Sequence, residues 1–220
     1  MKKIQEINQD SLKTLNRICS KFNDDFSLIL AHCNHGIVKK DIIEKLEKEF
    51  PQSIQHLMLD PDATNLYKSL AQRMEAEPTP PRALIVSGLE SNEQLDTVIK
   101  IMNQMREEFR RKFHYPLVLW VTDSVLQGLI RLAPDFYSWS TALKFESSTE
   151  DLLTFIQDTT DQVSAKVLDT GSGIFLNNSY FNLELGSPLR LELEEARQEL
   201  KTRGESLSIE LEASLEFVLG

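Results

Sequence analysis

Apolar positions along this chain follow two alternating rhythms. Short, nearly continuous apolar runs occur at "FSLILAH" (26–32), "IQHLMLD" (54–60), "RALIVSG" (82–88), "PLVLWVT" (116–122) and "STALKFE" (140–146). Between them lie stretches in which apolar residues recur every three to four positions, near 36–50, 64–77, 92–112 and 124–132. The first set predicts strands, the second crossover helices. Strands that are apolar on both faces, each followed by a helix, predict a mostly parallel five-stranded sheet with helices on both sides, a three-layer α/β fold. Punctuation agrees: Pro51 closes one helix, "EPTPP" (77–81) is a stiff connector and Pro116 opens a strand.

Flanking this core, residues 3–22 read as an amphipathic helix with Ile4, Ile7, Leu15, Ile18 and Phe22 on one side, broken by "NDD" at 23–25. The alternation stops after residue 147. "SSTEDLLTFIQDTTDQV" opens with a Ser/Thr cap and a carboxylate three residues on, which predicts a helix over 149–165. The Gly/Asn/Ser-rich stretch 169–189 reads as loop, "PLRLELEEARQELKTRG" as a charged helix stopped by Gly204, and "SLSIELEASLEFVLG" as a last helix without a polar cap. The expected organisation is an N-terminal helix (1–22), an α/β domain (23–147) and a helical connector (148–220) leading into further chain.

Charge narrows the partners. The formal net charge is -10, and residues 161–220 carry eleven Asp/Glu against five Lys/Arg. An acidic surface disfavours nucleic acid and anionic membranes, so neither is expected as a partner. "RRKFH" (110–114) is read as the basic end of a helix, where cations complement the dipole. The two cysteines, Cys19 and Cys33, sit in apolar settings and imply no disulfide framework. "MKKIQEINQD" lacks the apolar stretch of a secretory signal, and no apolar run is long enough for a membrane span; a cytoplasmic protein is expected.

The candidate chemistry lies at "AHCNHGIVKK" (31–40), between the first strand and its helix. Ligands of open parallel sheets bind beyond the carboxyl ends of the strands, and a helix N-terminus there attracts anions. A nucleotide-binding loop needs G-x-x-x-x-G-K-[ST], for backbone approach, phosphate charge and magnesium. Here Ala31, His32, Cys33, Asn34, His35 and Gly36 form the loop. Ala31 replaces the first glycine, Ile37 the lysine and Val38 the hydroxyl, while Lys39 and Lys40 come two and three positions late. The magnesium-binding acid expected at the end of "ALIV" is Ser87, with Glu90 the nearest carboxylate. Hydrolysis is therefore not expected, and no cofactor is assigned; residual ATP or GTP binding through Gly36, Lys39 and Lys40 stays open.

His32-Cys33-Asn34-His35-Gly36-Ile37-Val38-Lys39 also resembles the cysteine-phosphatase signature H-C-x-x-G-x-x-R. Cys33 would be the nucleophile and Lys39 would replace arginine, which binds phosphate through two parallel bonds that lysine cannot copy. Asp60, Asp62 and Asp123 are its candidate acids by position. His32, Cys33 and His35 are too tightly spaced for a zinc site, "SGLES" is no serine-hydrolase elbow, and "DTG" (169–171) lacks the second lobe of an aspartic protease. The aromatics of "APDFYSW" (133–139) are read as packing of a helix-to-strand corner.

Taken in order, "FSLILAHCN", "LMLDPDATNLYKSL", "RALIVSGLES", "PLVLWVTDSVLQGLIRLAPDFYSW" and "ALKFE" resemble the bacterial STAND-type P-loop NTPase-like domains, in the branch whose nucleotide motifs have decayed. The likeness covers roughly residues 1–147, and the tail resembles the segment joining such domains to tetratricopeptide repeats. It implies a P-loop NTPase-like fold and a regulatory, protein-interaction module of a multidomain signalling or conflict-response protein. The partners implied are other proteins or other domains of the same chain, and the resemblance supplies no binding residues.

Overall fold

A computed structural model describes residues 7–20, 25–51, 53–76, 79–170, 178–181 and 183–220. The chain divides into two compact units, Gln5–Glu146 and Ser147–Gly220.

The first unit runs α1 (Gln9–Ser20), β1 (Ser27–His32), α2 (Gly36–Glu49), β2 (Ile54–Met58), α3 (Leu66–Glu75), β3 (Ala83–Ser87), α4 (Leu95–Gln104), α5 (Arg106–Lys112), β4 (Pro116–Val121), α6 (Asp123–Leu132), α7 (Pro134–Ser138) and β5 (Ser140–Lys144). The five strands are all parallel in the order β2-β3-β4-β1-β5. Helices cover both faces, giving a three-layer α/β fold. Every residue of β3 and β4 is buried, which is why those segments are apolar without alternation. Leu28, Leu30, Leu84, Val86, Leu117 and Leu119 join one core with Leu66, Leu70, Met102, Phe109, Leu129 and Phe136. The alternate positions Ile29, Ala31, Ile85, Val118 and Trp120 are buried on the opposite side. There α2 contributes Val38, Ile42, Ile43 and Leu46, and α1 contributes Leu15 and Cys19.

Two expectations are corrected. The stretch 92–112 is not one helix: it breaks at Met105 (φ -97°, ψ 15°) into α4 and α5. The break lets Phe109 turn inward, where it meets Tyr67 edge-on at 5.4 Å and Phe136 at 5.2 Å. The aromatic corner is itself a short helix, α7, with Pro134 in its first turn and Phe136 fully buried. The predicted helix 3–22 appears as α1, its flanks at 1–6 and 21–24 lying outside the described residues. α1 is tied to the end of the sheet: Asn8 Nδ2 donates to Glu146 O, Glu146 N donates to Asn8 Oδ1, and Ser11 Oγ donates to Lys144 O.

In the second unit, α8 (Thr149–Thr170), α9 (Pro188–Thr202) and α10 (Ile209–Leu219) share a core that includes Leu152, Ile156, Leu193, Leu200, Leu211 and Leu215. The capping arrangement read from the sequence is made: Asp151 Oδ2 accepts from Ser148 N at 2.9 Å, and Ser148 Oγ accepts from Asp151 N at 3.1 Å. Helix α9 stops where the sequence places its glycine. Gly204 (φ +78°) lets Glu205 N reach Leu200 O at 3.0 Å, while its own N–H bonds Lys201 O at 3.1 Å; the two bonds satisfy carbonyls that the helix end leaves open. Among the described residues no helix is long and apolar enough to cross a membrane.

Gly88, after β3, is the other glycine held in a left-handed conformation (φ +90°) for a visible reason: a Cβ there would lie 2.8 Å from Met58 Sδ and 3.0 Å from Leu59 O. Gly204→Ala meets no neighbour within 4 Å and should cost only the conformational penalty of about 1 kcal/mol. Gly88→Ala adds close contacts with Met58 Sδ and Leu59 O to that penalty and should cost about 1–3 kcal/mol. Urea denaturation of the two variants should give that order.

Candidate functional site

Parallel pairing sets Ala31 of β1 beside Trp120 of β4 and His32 beside Val121. The loop after β1 (Cys33–His35) and the start of α6 therefore emerge side by side at the carboxyl edge of the sheet. Cys33 N extends the ladder by donating to Val121 O at 2.9 Å. Asn34 then closes on Asp123: its Oδ1 accepts from Asp123 N at 2.8 Å and its Nδ2 donates to Asp123 Oδ2 at 2.6 Å. His32 Nε2 lies 2.8 Å from the other carboxylate oxygen. Asp123 is the first residue of α6, whose free N–H groups and dipole favour a negative charge. The hydrogen bond from Asn34, helped by the bond and charge of His32 and by the charge of Lys144, holds its carboxyl below the usual range against the opposing effect of burial. The chain's own carboxylate thus engages the side chains that His32 and Asn34 offer beyond β1.

The cysteine of the phosphatase-like string faces inward. Cys33 is 4% exposed, and its thiol donates toward His35 O at 3.5 Å, so it is turned away from solvent. Lys39, in the first turns of α2, pairs with Glu90 Oε1 at 2.5 Å, Glu90 standing in a 3₁₀ turn (Leu89–Ser91) after β3. Lys40 is exposed. Of the candidate acids only Asp123 adjoins the loop; Asp60 and Asp62 follow β2, with β3 and β4 between that strand and β1. The two positions that would handle magnesium, Val38 and Ser87, are both 0% exposed. Val38 belongs to the buried face of α2, and Ser87 Oγ is engaged by His56 Nε2 at 2.7 Å and Met58 Sδ at 3.5 Å.

The Ser87–His56 contact was not legible in the sequence, because it joins the middle of one strand to the end of the next. Glu47 completes an outline of Ser, His and acid, but its Oε1 is 3.9 Å from His56 Nδ1, beyond hydrogen-bond reach, and Ser87 is sealed. Burial, with Lys39 adding to it against the pull of Glu47, keeps His56 neutral more readily than a free histidine; a neutral ring suits a packed hydrogen bond. No cluster of three or more His, Cys, Asp or Glu among the described residues is arranged to hold a metal ion. "RRK" forms the last turn of α5. Of "DTG", Asp169 and Thr170 end α8 and the glycine lies outside the described residues.

No family model and no curated protein matches the chain. Solved structures do resemble it at low identity. A DNA polymerase III gamma subunit-related protein of Thermotoga maritima is 16% identical over 94% of this chain and 77% of its own, with a TM-score of 0.43. The ORC2 protein of Aeropyrum pernix, in an ADP form, is 15% identical over 96% and 67%, with a TM-score of 0.44. A RuvB point mutant of Thermotoga maritima is 14% identical over 99% and 69%, with a TM-score of 0.42.

Two outcomes follow from the geometry. Asp123 should titrate by carbon-detected NMR below the ordinary 3.8, and Asn34→Ala should move it upward. Because the native midpoint is depressed, the stability it contributes is present above the ordinary carboxylate range and lost as pH falls through the native midpoint. Burial, with a smaller push from Glu49, raises the Cys19 thiol to about 12, and Cys33 is sealed, so the native chain should not react with an aromatic disulfide reagent at pH 8. Rapid reaction of either thiol before unfolding would contradict the burial described.

Proposed function

We propose that the α/β unit is a P-loop NTPase-like module of the inactive STAND type that does not turn over nucleotide. It acts by holding protein partners, or other domains of its own chain, in a cytoplasmic bacterial signalling or conflict-response protein with tetratricopeptide repeats. The observation that carries this reading is the burial of Val38 and Ser87: the two positions that would serve magnesium face the core. Magnitudes decide which departure matters most. The Asn34–Asp123–His32 closure is half-open to solvent, with Asp123 57% exposed. Contacts of that kind contribute about 0–1 kcal/mol, so a ligand displacing it would lose roughly fivefold in affinity at most. The missing magnesium ligand and the missing first glycine are the larger deficits, since metal and backbone together stabilise the transferred phosphoryl group.

The position of Lys39 beside Glu90, across the ends of β1 and β3, favours one alternative, in which ATP or GTP binds without efficient hydrolysis. Thermal unfolding of wild type and of a Lys39→Ala, Lys40→Ala double variant in millimolar Mg-ATP or Mg-GTP separates the two. A ligand at a hundred times its Kd stabilises the native state by about 2.7 kcal/mol, which a melting curve resolves. No shift is expected. A shift lost in the double variant would establish the binding alternative, and micromolar calorimetric binding with turnover would overturn the proposal. Turnover of an aryl phosphate that disappears in Cys33→Ser would replace it with a phosphatase.

A further inference from the structure

An open sheet has two edges, and each presents a row of backbone N–H and C=O groups that another strand can pair with. Here the edges are β5 and β2. The chain closes the β5 edge itself. Phe145 N donates to His32 O of β1, so Lys144 and Glu146 direct their backbone groups outward. Ser11 Oγ donates to Lys144 O, and the Asn8 amide both donates to Glu146 O and accepts from Glu146 N. Two side chains at the start of α1 thus stand where a further strand would lie. Lys144 adds a charge to the same strand.

The β2 edge has no such cover among the described residues. Ser53 O accepts from Arg82 N and Leu59 N donates to Ser87 O, which turns Ser53 and Leu59 toward β3. Ile54, His56 and Met58 therefore direct their backbone groups outward. Ile54 N is taken by Phe50 O at 3.4 Å. His56 and Met58 have no main-chain partner on that side among the described residues. Charges and proline are the ordinary means of keeping an edge strand from pairing. β2 holds neither, and no Asp, Glu, Lys or Arg occurs from Pro51 to Leu59. Met58, at the end of this unguarded strand, is 62% exposed.

We propose that β2 pairs antiparallel with β2 of a second copy of this chain, about a two-fold axis at His56, joining two sheets into one. The order of residues selects this occupant. A two-fold contact must be complementary to itself, and pairing about His56 sets Ile54 against Met58 of the second copy and Gln55 against Leu57. His56 meets its own counterpart and exchanges both backbone bonds with it. Met58 N–H reaches Ile54 O of the second copy. The exposed Met58 side chain is then covered by an apolar neighbour, and no like charges stand opposite one another in the strand. His56 Nε2 lies 2.7 Å from Ser87 Oγ, and burial keeps the ring neutral, with Glu47 and Lys39 of α2 acting on it in opposite senses. The β5 edge cannot serve in the same way, because Asn8 and Ser11 already engage it. This pairing rests on strand order and edge chemistry and goes beyond the reading of the α/β unit above.

Sedimentation equilibrium of the full chain at micromolar concentrations should show a dimer. Met58→Lys puts a charge on the edge and should weaken that dimer at least tenfold; the position is open to solvent, and circular dichroism confirms folding. Cross-linking reads the register. Paired α-carbons at the axis lie about 5.5 Å apart, within the span of a disulfide, so His56→Cys should give a covalent dimer under mild oxidation. Met58→Cys should not, because its two copies are offset by four residues, at least about 13 Å. The native thiols Cys19 and Cys33 are buried and do not compete. A monomer, a dimer that Met58→Lys leaves unchanged, or cross-linking of Met58→Cys as readily as His56→Cys would overturn the proposal. So would a chain that stays monomeric while β2 takes up an extended peptide of another protein. Nucleotide turnover by an intact dimer would overturn only the reading of the α/β unit.

Discussion

Every residue of the central strands β3 and β4 is buried, and this requirement orders the α/β unit. A parallel sheet needs a crossover after each strand, and those crossovers are what cover its faces. One set of alternate side chains lies under α3 to α7 and the other under α1 and α2. The same constraint sends every strand-to-helix loop to one edge. The loops after β1, β3 and β4 are neighbours there because the strands are, although they lie far apart in sequence.

At that edge the side chains read from the sequence as candidate phosphate contacts are engaged with other residues of the chain. Val38 packs in the core, Ser87 bonds His56, Lys39 pairs with Glu90, and His32 and Asn34 hold Asp123. Each engagement is modest. Together they tie the loop after β1, the start of α2 and the turn after β3 to neighbouring elements of the sheet, while Glu90 Oε2 stays buried without a hydrogen-bond partner among the described residues. The Ser87–His56–Glu47 outline illustrates the difference between proximity and chemistry. A short bond between the first two does not compensate for a nucleophile without access and an acid out of reach.

The second unit follows a different physical rule. Its helices α8 to α10 share one modest core, and their ends are set by local chemistry: the Ser148–Asp151 box and the glycine turn at Gly204. Its outer faces leave Ile209 and Phe217 of α10 exposed, while Arg197 of α9 bridges to Glu212 and Glu216 of α10.

Where information is local, the sequence was sufficient. Nearly continuous apolar runs marked the five strands, and apolar residues recurring every three to four positions marked the crossover helices between them. The Ser148 cap and Gly204 stop were readable because each acts within a few residues. The missing lysine and hydroxyl at Ile37 and Val38 were equally plain. Tertiary structure alone decided the rest, since it depends on strand order and register. That Asn34 and His32 meet Asp123 follows from β1 lying beside β4. That Ser87 meets His56 follows from β2 lying beside β3. That Met105 breaks a helix follows from the need to bring Phe109 onto Tyr67 and Phe136. That Arg197 of α9 meets Glu212 and Glu216 of α10 likewise depends on how those helices pack. Local patterning specifies elements; which side chains become neighbours is set by how those elements bury their apolar faces together.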